Sequence, residues 1–373
     1  MQRIFHTPEG VQDIYGSACR EKLALQDRIR SVFHRYGCEE IETPTFEYFE
    51  VFSSAVGTIP SRELYKFFDR EGDTLVLRPD FTPSMARVCA TCMDPSCEPV
   101  RLCYTGNTFI NSSSLRGRLK ETTQAGAEFI GDGSAEADAD LLAMTAECLL
   151  SSGLREFQVS VGQVEFFKAL IREAGLSRET ELRLRELISQ KNEFGVLELL
   201  KDENLSAEQK QAVAALPQLF GSADILERAR GLTKNPEALR SVERLLEINE
   251  ILRLYGFEKY ISYDFGMLSK YQYYTGIIFQ AFTYGTGEPI IKGGRYDELM
   301  KHFGRPAPAT GFAIVIDSLL LALQSQHIRL CGEEEIRVIR FTKETRADAV
   351  REAAALRREG HAVRLLREEE AKA

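Results

Sequence analysis

Apolar residues recur at helical spacing near the start of the chain, where Leu25, Ile29, Val32, Phe33 and Tyr36 define one stripe over residues 21–36. Gly37 follows it as a natural C-cap. A second helical pattern covers 135–151, with Leu141, Leu142, Thr145 and Leu149 on one face. Between these two, the pattern changes period. Glu40-Ile41-Glu42-Thr43-Pro44 reads as an extended run stopped by proline, residues 73–91 as a strand, a turn and a helix, and residues 100–110 and 109–131 as two antiparallel strands. Residues 154–162 are again strand-like.

From 163 to 255 nearly every segment has helical spacing. Gly and Pro punctuate these segments, and Ser206-Ala207-Glu208-Gln209 forms a capping box. This block reads as a structural insertion. Strand patterns return at 260–267, 273–285 and 288–299, and a last core helix is predicted along 311–323. Residues 335–366 form a β-α-β pattern. The expectation is an α+β protein built on a mostly antiparallel sheet. Residues 1–162 and 256–325 make its core, 163–255 a helical insertion, and 326–373 a short α/β tail.

Composition narrows the function classes. The 373 residues are 44% hydrophobic and 28% charged, with a formal net charge of −9. Those values fit an ordinary globular protein, and the acidic balance argues against a nucleic-acid binder. The opening residues lack the apolar stretch of a signal peptide. No apolar run reaches the roughly 20 residues that span a bilayer, and Asp317 interrupts the best one, so a cytoplasmic location with no membrane association is expected. Four of the eight cysteines (Cys89, Cys92, Cys97 and Cys103) lie close together. They could converge on a metal or an iron–sulfur cluster. Their helix-like and strand-like placement favours buried free thiols instead.

No nucleophile elbow, phosphate-binding loop, zinc-protease motif or dinucleotide fingerprint is present. Lys292-Gly293-Gly294-Arg295 is compatible with a phosphate nest and with a simple turn. Asp80, Thr82, Gln124 and Glu128 fall at strand or strand-end positions, and Tyr273 and Tyr274 add aromatic surface. This set would suit a cation or an amino group. A solvated sheet face would present the same residues.

Several ordered segments carry a family resemblance. Residues 5–13 (FHTPEGVQD), 37–47 (GCEEIETPTFE), 77–83 (LRPDFTP), 272–280 (QYYTGIIFQ), 293–299 (GGRYDEL) and 311–319 (GFAIVIDSL) resemble the corresponding segments of histidyl-tRNA synthetase, a class II aminoacyl-tRNA synthetase, from residue 5 to about 322. The resemblance implies that fold, a homodimer core around motif 1, and histidine contacts at Asp80, Thr82, Gln124, Glu128, Tyr273 and Tyr274. Asp80 stands where the family has Glu.

The same frame shows where the chain departs. Motif 2 of a synthetase begins Phe-Arg-x-Glu; here it is Phe109-Ile110-Asn111-Ser112, followed by a basic loop over 116–120. The Gly-Leu-Glu-Arg of motif 3 is replaced by Val315-Ile316-Asp317-Ser318. The histidine-specific Arg-Gly-Leu-Asp is replaced by Ser269-Lys270-Tyr271-Gln272. Three arginines that serve ATP or the adenylation transition state are missing together, and the tail is shorter than an anticodon-binding domain. In all these respects the chain resembles the regulatory subunits of ATP phosphoribosyltransferase. That resemblance implies no catalysis, no cofactor and no tRNA. It also implies a hetero-octamer with the short-form catalytic subunit and free histidine as feedback effector. A histidine–tRNA ligase and another synthetase-like binding module stand as the alternatives.

Overall fold

A computed structural model describes residues 6–53, 59–92, 99–112, 119–268, 274–332 and 336–368. The chain divides into two units, residues 1–328 and 329–373.

The first unit is organised by a nine-stranded sheet. Its first helix, α1 (Gly16–Arg35), leads through β1 (Glu39–Glu40) to a small three-stranded sheet of β2 (Phe46–Tyr48), β3 (Lys66–Phe68) and β4 (Thr74–Leu77). α1 starts five residues before the apolar stripe does, because its first turn, Gly16–Arg20, has no periodic apolar residue to reveal it. The extended run before Pro44 keeps strand pairing only at Glu39 and Glu40, which lie parallel to the following long strand.

That long strand is β5 (Val100–Phe109), which pairs antiparallel with β6 (Glu121–Ile130) after α2 (Thr82–Thr91). The chain then forms α3 (Ala135–Ser151) and β7 (Phe157–Gln163). Next come the helices α4 (Val164–Ala174), α5 (Arg178–Ser189), α6 (Glu193–Lys201), α7 (Ala207–Ala215), α8 (Asp224–Gly231) and α9 (Pro236–Tyr255), with β8 (Phe220–Gly221) between α7 and α8. The capping box forms as expected, Ser206 and Gln209 satisfying each other's backbone N–H groups at the start of α7. The sheet is completed by β9 (Ile261–Asp264), β10 (Ile277–Thr283), β11 (Ile291–Arg295) and β12 (Ala309–Val315). α10 (Asp297–His302) precedes β12 and α11 (Ile316–Ser325) follows it. The strand order is β1-β5-β6-β12-β11-β10-β7-β9-β8. The β1–β5 and β7–β9 pairs are parallel and the rest antiparallel, so the sheet is mostly antiparallel, as expected.

Two sequence expectations need correcting here. Gly311–Val315 belongs to β12, and the helix begins only at Ile316. The run is apolar throughout because its strand lies in the middle of the sheet, buried on both faces, and such a run cannot be told from a buried helix by period. Gly293 and Gly294 sit inside β11 and form neither a turn nor a phosphate nest. A side chain at 293 would collide with Phe279 and the Gly311 carbonyl, so close packing explains the first glycine.

α9 packs along α3 and α4, and a buried ion cluster ties it to the core. Asp138 of α3, 1% exposed, takes Arg295 Nη2 of β11 at 2.7 Å and Arg244 Nη2 of α9 at 2.8 Å.

In the second unit, β13 (Arg337–Phe341) and β14 (Val363–Arg367) pair in parallel across α12 (Arg346–Arg358), the predicted β-α-β pattern. Cys89 and Cys103 are buried and free, whereas Cys92, at the end of α2, is exposed, so the expectation of buried thiols fails for that residue. Cys97 lies outside the described residues, and no cluster of metal-ligating side chains occurs among the described ones. None of the described helices is long and apolar enough to cross a membrane.

Candidate functional site

The strand period selects which residues share a face. In β6, Gln124, Gly126 and Glu128 alternate onto one side of the sheet. Opposite them on β5 stand Gly106, Tyr104 and Leu102, and on the other flank Gly311 of β12 pairs with Glu128. Helices α2 and α10 cover this face, burying Phe81, Met85, Leu102, Tyr104, Tyr296 and Leu299 in one cluster.

Glu128 sits at the centre and is 1% exposed. The Thr82 hydroxyl donates to its Oε1 at 2.9 Å and the Tyr296 hydroxyl donates to Oε2. Burial, with a smaller contribution from neighbouring Asp80, pushes its carboxyl pKa up to about 8 against the two hydroxyl donors. Its carboxyl lies over Gly311, where any side chain would occupy the same space. Glycine is therefore required at 311 by close approach. Of the two sequence alternatives, the solvated sheet face is excluded for Glu128 by its burial.

Asp80 and Thr82 reach the site from a turn and a helix start, which corrects their assignment to strand positions. Asp80 Oδ1 accepts the Thr82 N–H at 3.3 Å, and Thr82 is the first residue of α2. Pro79 and Pro83 flank them and disfavour strand pairing there. Gln124 is half-buried, and its Oε1 is fully enclosed with no hydrogen-bond partner among the described residues. Tyr274 closes the far side: its ring packs where a side chain at Gly294 would be, and its carbonyl accepts from Lys168 Nζ at 3.1 Å. Tyr273 lies outside the described residues, as do 269–272 and 113–118, the latter including 116–118 of the basic loop.

Two site residues escaped the sequence reading. Tyr104, 3% exposed, crosses over Gly126, and its ring stacks on Phe81 with centroids 4.1 Å apart. Tyr296 donates to Glu128. Burial raises the pKa of both phenols well above the ordinary value, so both stay neutral hydroxyls. Only their place beside a strand with polar inward residues could have flagged them. Behind the stack, Arg78 packs its guanidinium 4.2 Å from the Phe81 ring. It donates to the carbonyls of Thr43 at 2.7 Å and Asn107 at 2.8 Å.

At the motif 2 and motif 3 positions, Ile110, Ser112 and Ser318 are half-buried. Ile110 N–H donates to the Lys120 carbonyl at 2.8 Å, and Ser318 stands in the first turn of α11. The site thus offers a buried carboxyl, an amide oxygen and several hydroxyls, which suits a small ligand with N–H donors.

Residues 10–319 match the family model described as Histidyl-tRNA synthetase. An ATP phosphoribosyltransferase regulatory subunit from Acetivibrio thermocellus is 42% identical over 358 residues, covering 96% of this chain and 86% of the relative. One from Thermoanaerobacter pseudethanolicus is 38% identical over 369 residues, covering 99% and 96%. Among solved structures, an ATP phosphoribosyltransferase regulatory subunit/histidyl-tRNA synthetase from Bacillus halodurans superposes with a TM-score of 0.90 at 34% identity, covering 100% of this chain and 95% of that one. The histidyl-tRNA synthetase from Nostoc sp. PCC 7120 shares the fold, with a TM-score of 0.81 at 22% identity over 99% of this chain and 87% of its own.

Proposed function

The chain belongs to the ATP phosphoribosyltransferase regulatory subunits, which are built on the histidyl-tRNA synthetase domain, and from that membership we propose how it works. It is a regulatory subunit in the first step of histidine biosynthesis, activating a short-form catalytic subunit and contributing to feedback inhibition by histidine. Its own role is not catalytic. Ile110, Ser112 and Ser318 stand where a synthetase would hold ATP with Arg, Glu and Arg, and the segment 269–272 lacks the catalytic Arg. Each positioned electrostatic group of this kind is worth about 10²–10³ in rate, so their joint absence removes adenylation.

This reading rests on the pairing of a largely kept set of amino-acid-pocket residues with an incomplete set of ATP-site residues. Glu128 is buried and held by Thr82 and Tyr296, with Asp80 nearby, Gln124 on the same face of β6 and Tyr274 packed against the surrounding cluster. These residues, together with Tyr273, form the histidine pocket. None of them depends on the missing arginines, so histidine binds without ATP. If histidine prefers the inhibited form of the assembly, linkage makes it an allosteric inhibitor by that difference in affinity. The assembly is a hetero-octamer on a homodimeric core, and the acidic chain does not engage tRNA.

The test is co-expression with a short-form ATP phosphoribosyltransferase. The two chains should co-purify, the catalytic subunit's kcat/KM should rise when this chain is added, and histidine should suppress it. Histidine-dependent ATP–pyrophosphate exchange by this chain alone should be undetectable. Measurable exchange would favour a histidine–tRNA ligase, and an unchanged partner kcat/KM at saturation would overturn the regulatory assignment.

A further inference from the structure

We infer that Tyr104 is a specificity-determining residue of the pocket, its hydroxyl forming a direct hydrogen bond to the bound ligand next to one accepted by Gln124. The inference deepens the pocket reading above and rests on it.

Its basis is a pair of buried polar atoms that the described residues leave unsatisfied. Gln124 Oε1 and the Tyr104 hydroxyl are both enclosed, and neither has a hydrogen-bond partner among the described residues. An enclosed polar atom without a partner costs about 1–3 kcal/mol, so two from neighbouring positions of paired strands are a substantial deficit. The sheet register puts them together. Tyr104 pairs with Gly126, and its hydroxyl lies over that residue, where a side chain would collide with it. Gln124 and Glu128 are the next residues on the same face of β6, one on each side of Gly126. The tyrosine hydroxyl is therefore delivered over Gly126, between the strand positions of Gln124 and Glu128. Its ring cannot easily turn away, because it is stacked on Phe81 at 4.1 Å and 15°, and Phe81 lies against the Arg78 guanidinium. The arrangement holds the hydroxyl at a fixed point with no hydrogen-bond partner among the described residues.

The chemistry of the two atoms defines the ligand. An amide oxygen only accepts, so the ligand must present an N–H or O–H donor to Gln124. A phenol hydroxyl both donates and accepts, so the ligand needs a polar atom beside that donor. A small molecule with adjacent nitrogen functions meets both demands, and an apolar isostere would leave both atoms unpaired and be rejected.

Tyr104→Phe is the informative variant, because it keeps the ring and its stack and removes only the oxygen. Calorimetric titration with histidine should show a loss of roughly threefold to tenfold in affinity, the worth of one neutral hydrogen bond. The melting temperature of the ligand-free variant should hold or rise, since an unpaired buried hydroxyl has been removed. Phenylalanine should not bind either protein. Equal histidine affinity in wild type and variant would overturn the inference while leaving the pocket reading intact. A fall in ligand-free melting temperature with unchanged affinity would assign Tyr104 a structural role instead. If wild type fails to bind histidine at all, the pocket reading fails and this inference with it.

Discussion

Thr82, at the first turn of α2, donates its hydroxyl to Glu128 on β6 at 2.9 Å, across 46 residues of sequence. The bond fixes one oxygen of the carboxyl, and the Tyr296 hydroxyl fixes the other. The two donors preorganise the carboxyl for a ligand, while its burial, which outweighs them, makes it expensive to ionise.

That expense gives a pH dependence. The Glu128 pKa stands at about 8, above the ordinary 4.5. A raised carboxyl pKa means the unfolded chain binds fewer protons between those two values, so this group's contribution to stability is complete below 4.5 and is lost as pH rises through about 8. In Glu128→Gln the decline should disappear. Urea titrations at intervals across that window, on wild type and variant, check the sign.

Ligand affinity should move the opposite way. A cationic amino group is best met by the ionised carboxyl, so binding below about pH 8 releases a proton, and affinity should climb between about pH 6.5 and about pH 8.5. Glu128→Gln should lose about 1.5–3 kcal/mol of histidine affinity, the worth of a hydrogen bond to a charged group, and should show less of this climb. Calorimetry in buffers of different ionisation enthalpy counts the proton directly. Unchanged affinity in the variant would place histidine elsewhere.

Gly311→Ala introduces a methyl into the space taken by the Glu128 carboxyl. The strand is paired on both sides and cannot move aside. The carboxyl must swing away from Thr82 or Tyr296, with a destabilisation of about 1–3 kcal/mol. Histidine binding should weaken at least as much as in Glu128→Gln, and thermal melting combined with calorimetry separates the two effects.

Asp138→Ala tests the cluster that ties α9 to the core. Removing the shared carboxyl leaves Arg295, 6% exposed, with a buried charge and its half-buried Asp297 pair at 3.3 Å. The cost should be about 3–5 kcal/mol in urea unfolding. A loss below about 1 kcal/mol, the range of a surface ion pair, would show that water reaches the cluster.

The motif 1-like segment should build a two-fold symmetric dimer, the commonest form of soluble oligomer. Sedimentation of the isolated chain at micromolar concentration should give twice the mass of one chain, and a strictly monomeric boundary would exclude it.

The sequence by itself determined the order and type of most of the elements. Helical spacing marked α3 to the residue, the capping box marked the start of α7, and the β-α-β pattern at the end of the chain was legible, because period and end-capping chemistry are local properties. It also supplied most of the candidate pocket, since Gln124 and Glu128 lie two turns of the pleat apart on one strand. Only the tertiary structure decided the rest. The apolar run 311–323 divides into strand and helix because β12 is buried between β6 and β11, which no local period reports. Asp80 and Thr82 enter from a turn and a helix start, and Tyr104 and Tyr296 join Glu128 through register and packing between segments far apart in the chain. The raised pKa of Glu128 has the same origin. It comes from removing water from a carboxyl, and desolvation depends on what the whole fold places around a residue, not on its neighbours in sequence.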